Sequence, residues 1–102
     1  MHKKFFKWIK NVESDLETKG ITTENINMTD DNIPNPSITV DNFSQVCIGR
    51  ISVWETGEMD VEVLHFETEE RLMCEHYKLD YEADFNKILI DYLNVLLTGT
   101  KL

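Results

Sequence analysis

Three histidines, two cysteines and nineteen carboxylates are spread along this chain of 102 residues, so each grouping that could do chemistry has a spacing to test. Cys74 and His76 stand two apart in Arg71-Leu-Met-Cys-Glu-His-Tyr-Lys-Leu79 and would share a strand face. Zinc needs a second ligand pair at comparable spacing, and none follows. A Cys-His nucleophile needs the imidazole within hydrogen-bond reach of the thiol. His65 is the one candidate, opposite Cys47 in the hairpin derived below, at a core rim where a structural histidine and a buried cysteine are the commoner outcome. Asp60 and Glu62 share a strand face as a general acid and base would, but such a row of carboxylates has no concave surrounding and fits a solvated or protein-binding face better. Asp30, Asp31 and Asn32 cluster, yet the twelve-residue calcium loop with its central Gly and terminal Glu is missing. Gly20, Gly49, Gly57 and Gly99 are isolated, so no phosphate-cradling loop is present. These patterns predict no enzyme, no metal and no cofactor.

The elements that position these residues centre on Cys47-Ile-Gly-Arg-Ile-Ser-Val-Trp54, Glu-Thr-Gly and Glu58-Met-Asp-Val-Glu-Val-Leu-His-Phe66. Alternating β-branched and polar residues on both sides of a short break predict a β-hairpin, with Gly57 at the left-handed position of a three-residue loop. The register then pairs Val53 with Met59, Ile51 with Val61, Arg50 with Glu62 and Gly49 with Val63. One face carries Cys47, Gly49, Ile51, Val53, Met59, Val61 and Val63. The other carries Ile48, Arg50, Ser52, Trp54, Asp60, Glu62, Leu64 and Phe66. A four-residue loop would set Ile51 against Glu62 and bury carboxylates. Arg50 and Glu62 form an opposite-charge cross-strand pair in the register kept.

Around this hairpin the chain reads as one domain, 1–102, of α+β class. Phe5, Trp8, Ile9, Val12 and Leu16 predict an amphipathic helix over 3–18. Its lysines crowd the positive end of the helix dipole and its acids the negative end, so its stability must come from packing. A basic amphipathic helix can lie on a membrane, but a chain this small needs that face for its core. Strands follow at about 21–29, 37–41, 45–54, 58–66 and 71–79, with the Asp30–Pro36 loop and an Asn42-Phe-Ser44 turn between them. For the last strand, a three-residue turn turns Met73 and Tyr77 inward together with Glu75, which then needs an edge position. A four-residue turn sets Glu62 against Glu75, so the first is favoured. Asp80 as N-cap and the spacing of Tyr81, Phe85, Ile88, Leu89, Tyr92 and Leu96 predict a helix over 81–98. The expected architecture is a mostly antiparallel meander of four or five strands, flanked by an N-terminal and a C-terminal helix packed on one sheet face.

A formal net charge of -9 argues against direct nucleic-acid binding and for a basic or neutral partner. Residues 1–19 hold five lysines and three acids, whereas residues 55–91 hold twelve acids and three basic residues. No export signal and no run of eighteen apolar residues is present, and two cysteines placed on opposite sheet faces fit a reducing cytoplasm. The outer sheet face then stands out, because Trp54, Leu64, Phe66 and Ile48 lie among Glu58, Asp60 and Glu62. Large apolar groups in a charged rim are what a protein-binding surface needs. A second copy of the chain could also cover this face, making it a self-associating adaptor.

The segments Asn35-Pro-Ser-Ile-Thr-Val-Asp41, Ile48-Gly-Arg-Ile-Ser-Val-Trp-Glu-Thr-Gly-Glu58, Asp60-Val-Glu-Val-Leu64 and Glu75-His-Tyr77 resemble the TriTu-type immunity proteins of bacterial polymorphic-toxin and contact-dependent growth-inhibition systems. The resemblance runs from about residue 35 to 97. The family pattern carries Gly in the second tight turn, where this chain has Glu69. The resemblance implies a cytoplasmic antitoxin that blocks a cognate toxin domain, a transfer-RNA-cleaving nuclease working with elongation factor Tu. Trp54, Glu58, Asp60, Glu62, Leu64, Phe66 and His76 are the candidate toxin-binding residues, with Asp30 and Asp31 as secondary candidates.

Overall fold

The computed structural model describes residues 1–102. The apolar stripe of the first segment forms α1 (His2–Thr18), which buries Phe5, Ile9 and Leu16. Its lysines find partners off the helix axis. Lys3 meets Asp31 at 3.0 Å, and Lys4 donates to the carbonyl oxygens of Tyr81 and Ala83 at 2.8 and 3.0 Å. Charges that oppose the helix dipole are therefore used to tie two loops to the start of the helix.

Five strands follow: β1 (Thr22–Met28), β2 (Ser37–Phe43), β3 (Cys47–Trp54), β4 (Glu58–His65) and β5 (Arg71–Lys78). They form an antiparallel meander in the order β1-β2-β3-β4-β5. The β3–β4 register is the one the three-residue loop requires, with Arg50 opposite Glu62 and Ile51 opposite Val61. Gly57 has a φ of 97°, and its carbonyl accepts from the Leu79 N–H at 2.7 Å.

The β4–β5 pairing combines two registers. Val63 faces Met73, Val61 faces Glu75 and Met59 faces Tyr77, as a three-residue turn demands, but Leu64 faces Arg71. Leu72 is the extra residue of a bulge, which lets neighbouring Leu72 and Met73 both be buried. At the turn itself the His65 N–H donates to the Glu70 carbonyl and the His65 carbonyl accepts from the Glu69 N–H, each at 2.9 Å, so the turn spans Phe66–Glu69 and is longer than expected. Glu69 stands there at φ 61°, in the left-handed region that favours Gly. Glu75 lies on the edge strand and is exposed.

Two local readings change. Asn42 and Phe43, expected in a turn, extend β2. Asn42 is buried and accepts from the Tyr92 hydroxyl at 2.8 Å, a partner fifty positions away that no local pattern reveals. The closing helix starts late and is broken into α2 (Phe85–Ile88) and α3 (Ile90–Thr98) at Leu89. Asp84, not Asp80, is the N-cap and accepts from the Asn86 N–H at 3.0 Å. Asp80 instead folds its own turn, accepting from Glu82 N–H, while Lys4 draws off the carbonyls of Tyr81 and Ala83. Tyr81 is consequently 95% exposed rather than part of the apolar stripe.

The core lies between the helices and one sheet face, combining Phe5, Ile9 and Leu16 with Ile38, Val40, Ile51, Val53, Val61, Tyr92, Val95 and Leu96. Gly49 is required there, because a Cβ would stand 2.8 Å from Cζ of Tyr92. No helix is long and apolar enough to cross a membrane.

Candidate functional site

With the helices on one side, the other face of the sheet has no covering element. Alternation along paired strands brings to it Ser37, Thr39, Asp41 and Phe43 of β2, Ile48, Arg50, Ser52 and Trp54 of β3, and Glu58, Asp60, Glu62 and Leu64 of β4. β5 adds Cys74, His76 and Lys78. The face dips between β3 and β5 into an open depression of about 460 Å³, lined by Arg50, Ser52, Asp60, Glu62, Cys74 and His76 among others.

The charges on this face are largely paired. Arg50 was expected to pair with Glu62, and the two are indeed opposite across the strands. Its guanidinium turns the other way and forks onto Asp41, at 2.7 Å from Nε and 3.2 Å from Nη2. Asp41 is only 3% exposed despite its outward position, because Arg50 covers it and Asn25 Nδ2 donates to it at 2.9 Å. Asn25 reaches it from a β1 bulge at φ 54°. Hydrogen bonding from Arg50, opposed by burial and aided by Asn25, holds the Asp41 carboxyl below the usual carboxylate range. A buried carboxylate takes the cation in preference to the half-exposed Glu62, since it has no water as an alternative partner. Glu62 is left with Arg71 at 3.6 Å.

Asp60 faces His76 across β4 and β5 and bonds its Nδ1, both side chains being more than half exposed. A carboxylate beside an imidazole in a depression is the arrangement a small hydrolase would use. Neither Ser52 nor Cys74 is hydrogen-bonded to that imidazole, whose one side-chain partner is Asp60. The other histidine pair dissolves more plainly. His65 Nδ1 accepts from the N–H groups of Glu67 and Thr68 at 3.2 and 3.3 Å, capping the turn. Cys47 points its thiol toward the Val95 carbonyl, and burial pushes its pKa up, the opposite of activation.

Among the candidate residues, Glu58, Asp60, Glu62, Leu64 and His76 lie together on the outer face, with Trp54 at one end and Phe66 folding in from the β4–β5 turn. Asp30 and Asp31 lie apart from it. Asp31 is held by Lys3 and lies 3.6 Å from His2, and Asp30 accepts from the Asn32 N–H at 2.9 Å, so both hold their loop in place. Sequence reasoning missed Phe43, which stacks on Phe66 with centroids 6.3 Å apart. The alternation Ile38, Val40 could have carried β2 on to it had Asn42 not been read as a turn residue.

A family model for Immunity protein TriTu matches residues 3–95. The chain belongs to the TriTu immunity protein family. Its match takes in α1 and β1 as well as the strands that carried the resemblance, and it reaches into α3. No curated protein matches the chain. Members of an immunity family bind a cognate toxin as non-enzymatic inhibitors, so the TriTu chain has an immunity role, and an uncovered sheet face is a surface such a role can use.

Proposed function

We propose that this TriTu protein neutralises a basic nuclease toxin of a contact-dependent growth-inhibition system by covering it with the outer face of the sheet. The toxin is read as a transfer-RNA-cleaving domain that works with elongation factor Tu, and the cytoplasm of the producing cell is where the two meet. The single observation behind this reading is that Ile48, Trp54, Leu64 and Phe66 remain partly or largely exposed among carboxylates, on a face no helix covers. Such apolar groups supply desolvated anchors, and an acidic rim speeds encounter with a domain built to hold phosphates. Inhibition by coverage needs no catalytic group in the immunity protein.

Co-expression with the product of the adjacent upstream gene tests it. The expected result is a stable complex on size exclusion and survival of cells that the toxin domain alone kills. Toxicity undiminished by co-expression, with no complex recovered, would refute the pairing.

A further inference from the structure

The outer face is not uniform, and its apolar residues gather at one end. Phe43 pairs with Ile48, and Ile48 with Leu64, so three strands lay these side chains in a row. Phe66 folds in from the turn and stacks on Phe43, ring planes 14° apart, yet stays 49% exposed. Trp54 sits at the far end of β3 with Ser37 directly across from it and Ser52 two residues back. It has no apolar neighbour among these. Interfaces concentrate their binding energy where anchors cluster inside a rim that excludes water, which favours the Phe43–Phe66 end over an isolated Trp.

The rim of this end is acidic and only partly neutralised. The next row along the strands is Asp41, Arg50, Glu62 and Cys74, with Glu24 beside Asp41 on β1. The turn that carries Phe66 continues into Glu67, Glu69 and Glu70. Arg50 is taken by Asp41 and Lys101 by Glu70, while Arg71 reaches Glu62 only at 3.6 Å. Glu24, Glu67 and Glu69 have no ion pair within 4.0 Å. A depression of about 230 Å³ opens between Ile48 and Leu64 on one side and Arg50 and Glu62 on the other.

Resting on the toxin-binding reading above, we propose that the Phe43–Phe66 stack is the anchor of the interface, and that its occupant is an arginine of the toxin. Its guanidinium lies on the open face of Phe66 with its edge toward Glu62. Arginine satisfies both halves of the site, since its planar, weakly hydrated cation stacks on aromatic rings and its fork of N–H donors matches a carboxylate. An aliphatic side chain would leave Glu62 with no more than Arg71 at 3.6 Å. A lysine would bring a strongly hydrated point charge to an apolar ring.

Binding kinetics with the purified toxin domain from the adjacent gene, on variants whose thermal midpoint matches the wild type, test the proposal. Phe66→Ala and Phe66→Leu should each raise the dissociation rate tenfold or more, Phe66→Tyr should restore wild-type dissociation, and Glu62→Gln should reduce the salt dependence of binding. Trp54→Ala should have the smaller effect. Phe66→Leu dissociating like wild type would show an aliphatic rather than cationic occupant and overturn the arginine. Wild-type kinetics for Phe66→Ala with fast dissociation of Trp54→Ala would overturn the anchor and leave the outer face in place as the interface. Wild-type kinetics for Phe66→Ala, Phe66→Leu, Glu62→Gln and Trp54→Ala together would overturn the face itself, and failure of the unmodified protein to bind would overturn the toxin pairing.

Discussion

At the scale of single residues, Asp41 shows how a buried charge redirects its neighbours. Removing Arg50 leaves that carboxylate with Asn25 as its only side-chain donor and takes away the side chain that covers it. Arg50→Ala should cost about 2 kcal/mol at neutral pH, in the range for hydrogen bonds to charged groups, read from urea melts. Because the folded pKa of Asp41 is depressed, the pair's contribution is complete above the ordinary carboxylate pKa and is lost as pH falls below about 4 toward the lower folded value. The gap between wild type and Arg50→Ala should therefore narrow in melts at pH 3. A gap that stays constant would show that Arg50 acts through packing of its stem rather than through charge. The cysteines divide in the same way between covered and open positions, Cys47 buried on the inner face and Cys74 exposed on the outer. A thiol reagent should titrate one group rapidly in the native protein and two in denaturant; two rapid thiols would contradict the packing of Cys47 under α3.

At the scale of elements, the two hairpin turns form a natural comparison. Gly57 takes the left-handed position of the first turn, and a Cβ there would meet the Leu79 carbonyl oxygen at 2.7 Å. Gly57→Val should lower stability by about 1 kcal/mol or more, from backbone strain and this clash together, and an unchanged melting midpoint would count against the turn. Glu69 occupies the equivalent conformation in the second turn without the freedom glycine has. Glu69→Gly should raise stability by about 0.5 kcal/mol, the relief of strain being partly offset by a more flexible unfolded chain. A loss of stability would mean that the Glu69 side chain does something its exposure does not suggest. The first hairpin was legible because alternation and Gly57 agree on one register. The second was legible only in part, since its bulge at Leu72 depends on burying two adjacent side chains, which a period of two cannot express. The late start of α2 was hidden for another reason. Asp80 and Asp84 are equally good caps in sequence, and the choice is made by Lys4, from the far end of the chain.

At the scale of the whole molecule, the acidic total was readable from composition, while its distribution was not. Of the twelve acids in residues 55–91, the structure engages Glu62 and Glu70 with cations and Asp60 with the His76 imidazole and leaves the rest, most of them in turns and at the β5–α2 connection, without a partner of that kind. The pairing of Glu62 with Arg71 weakens the field of the outer face itself, so its share in steering a basic partner is a measurable quantity. Asp60→Lys/Glu62→Lys shifts the net charge from -9 to -5 and removes those two exposed pairs, each worth at most about 1 kcal/mol, so the variant should stay folded. Its association with the toxin domain should slow by roughly tenfold at low salt and lose much of its salt dependence. Glu82→Lys/Asp91→Lys makes the same change in total charge away from the outer face, on the β5–α2 connection and α3. If the outer face is the interface, the second variant should slow association far less than the first, because screening confines a charge's influence to about 10 Å at moderate salt. Equal slowing would show steering by net charge alone, and unchanged association and dissociation for the first variant would place the interface elsewhere, with the Asp30–Pro36 loop and α1 the next surfaces to mutate.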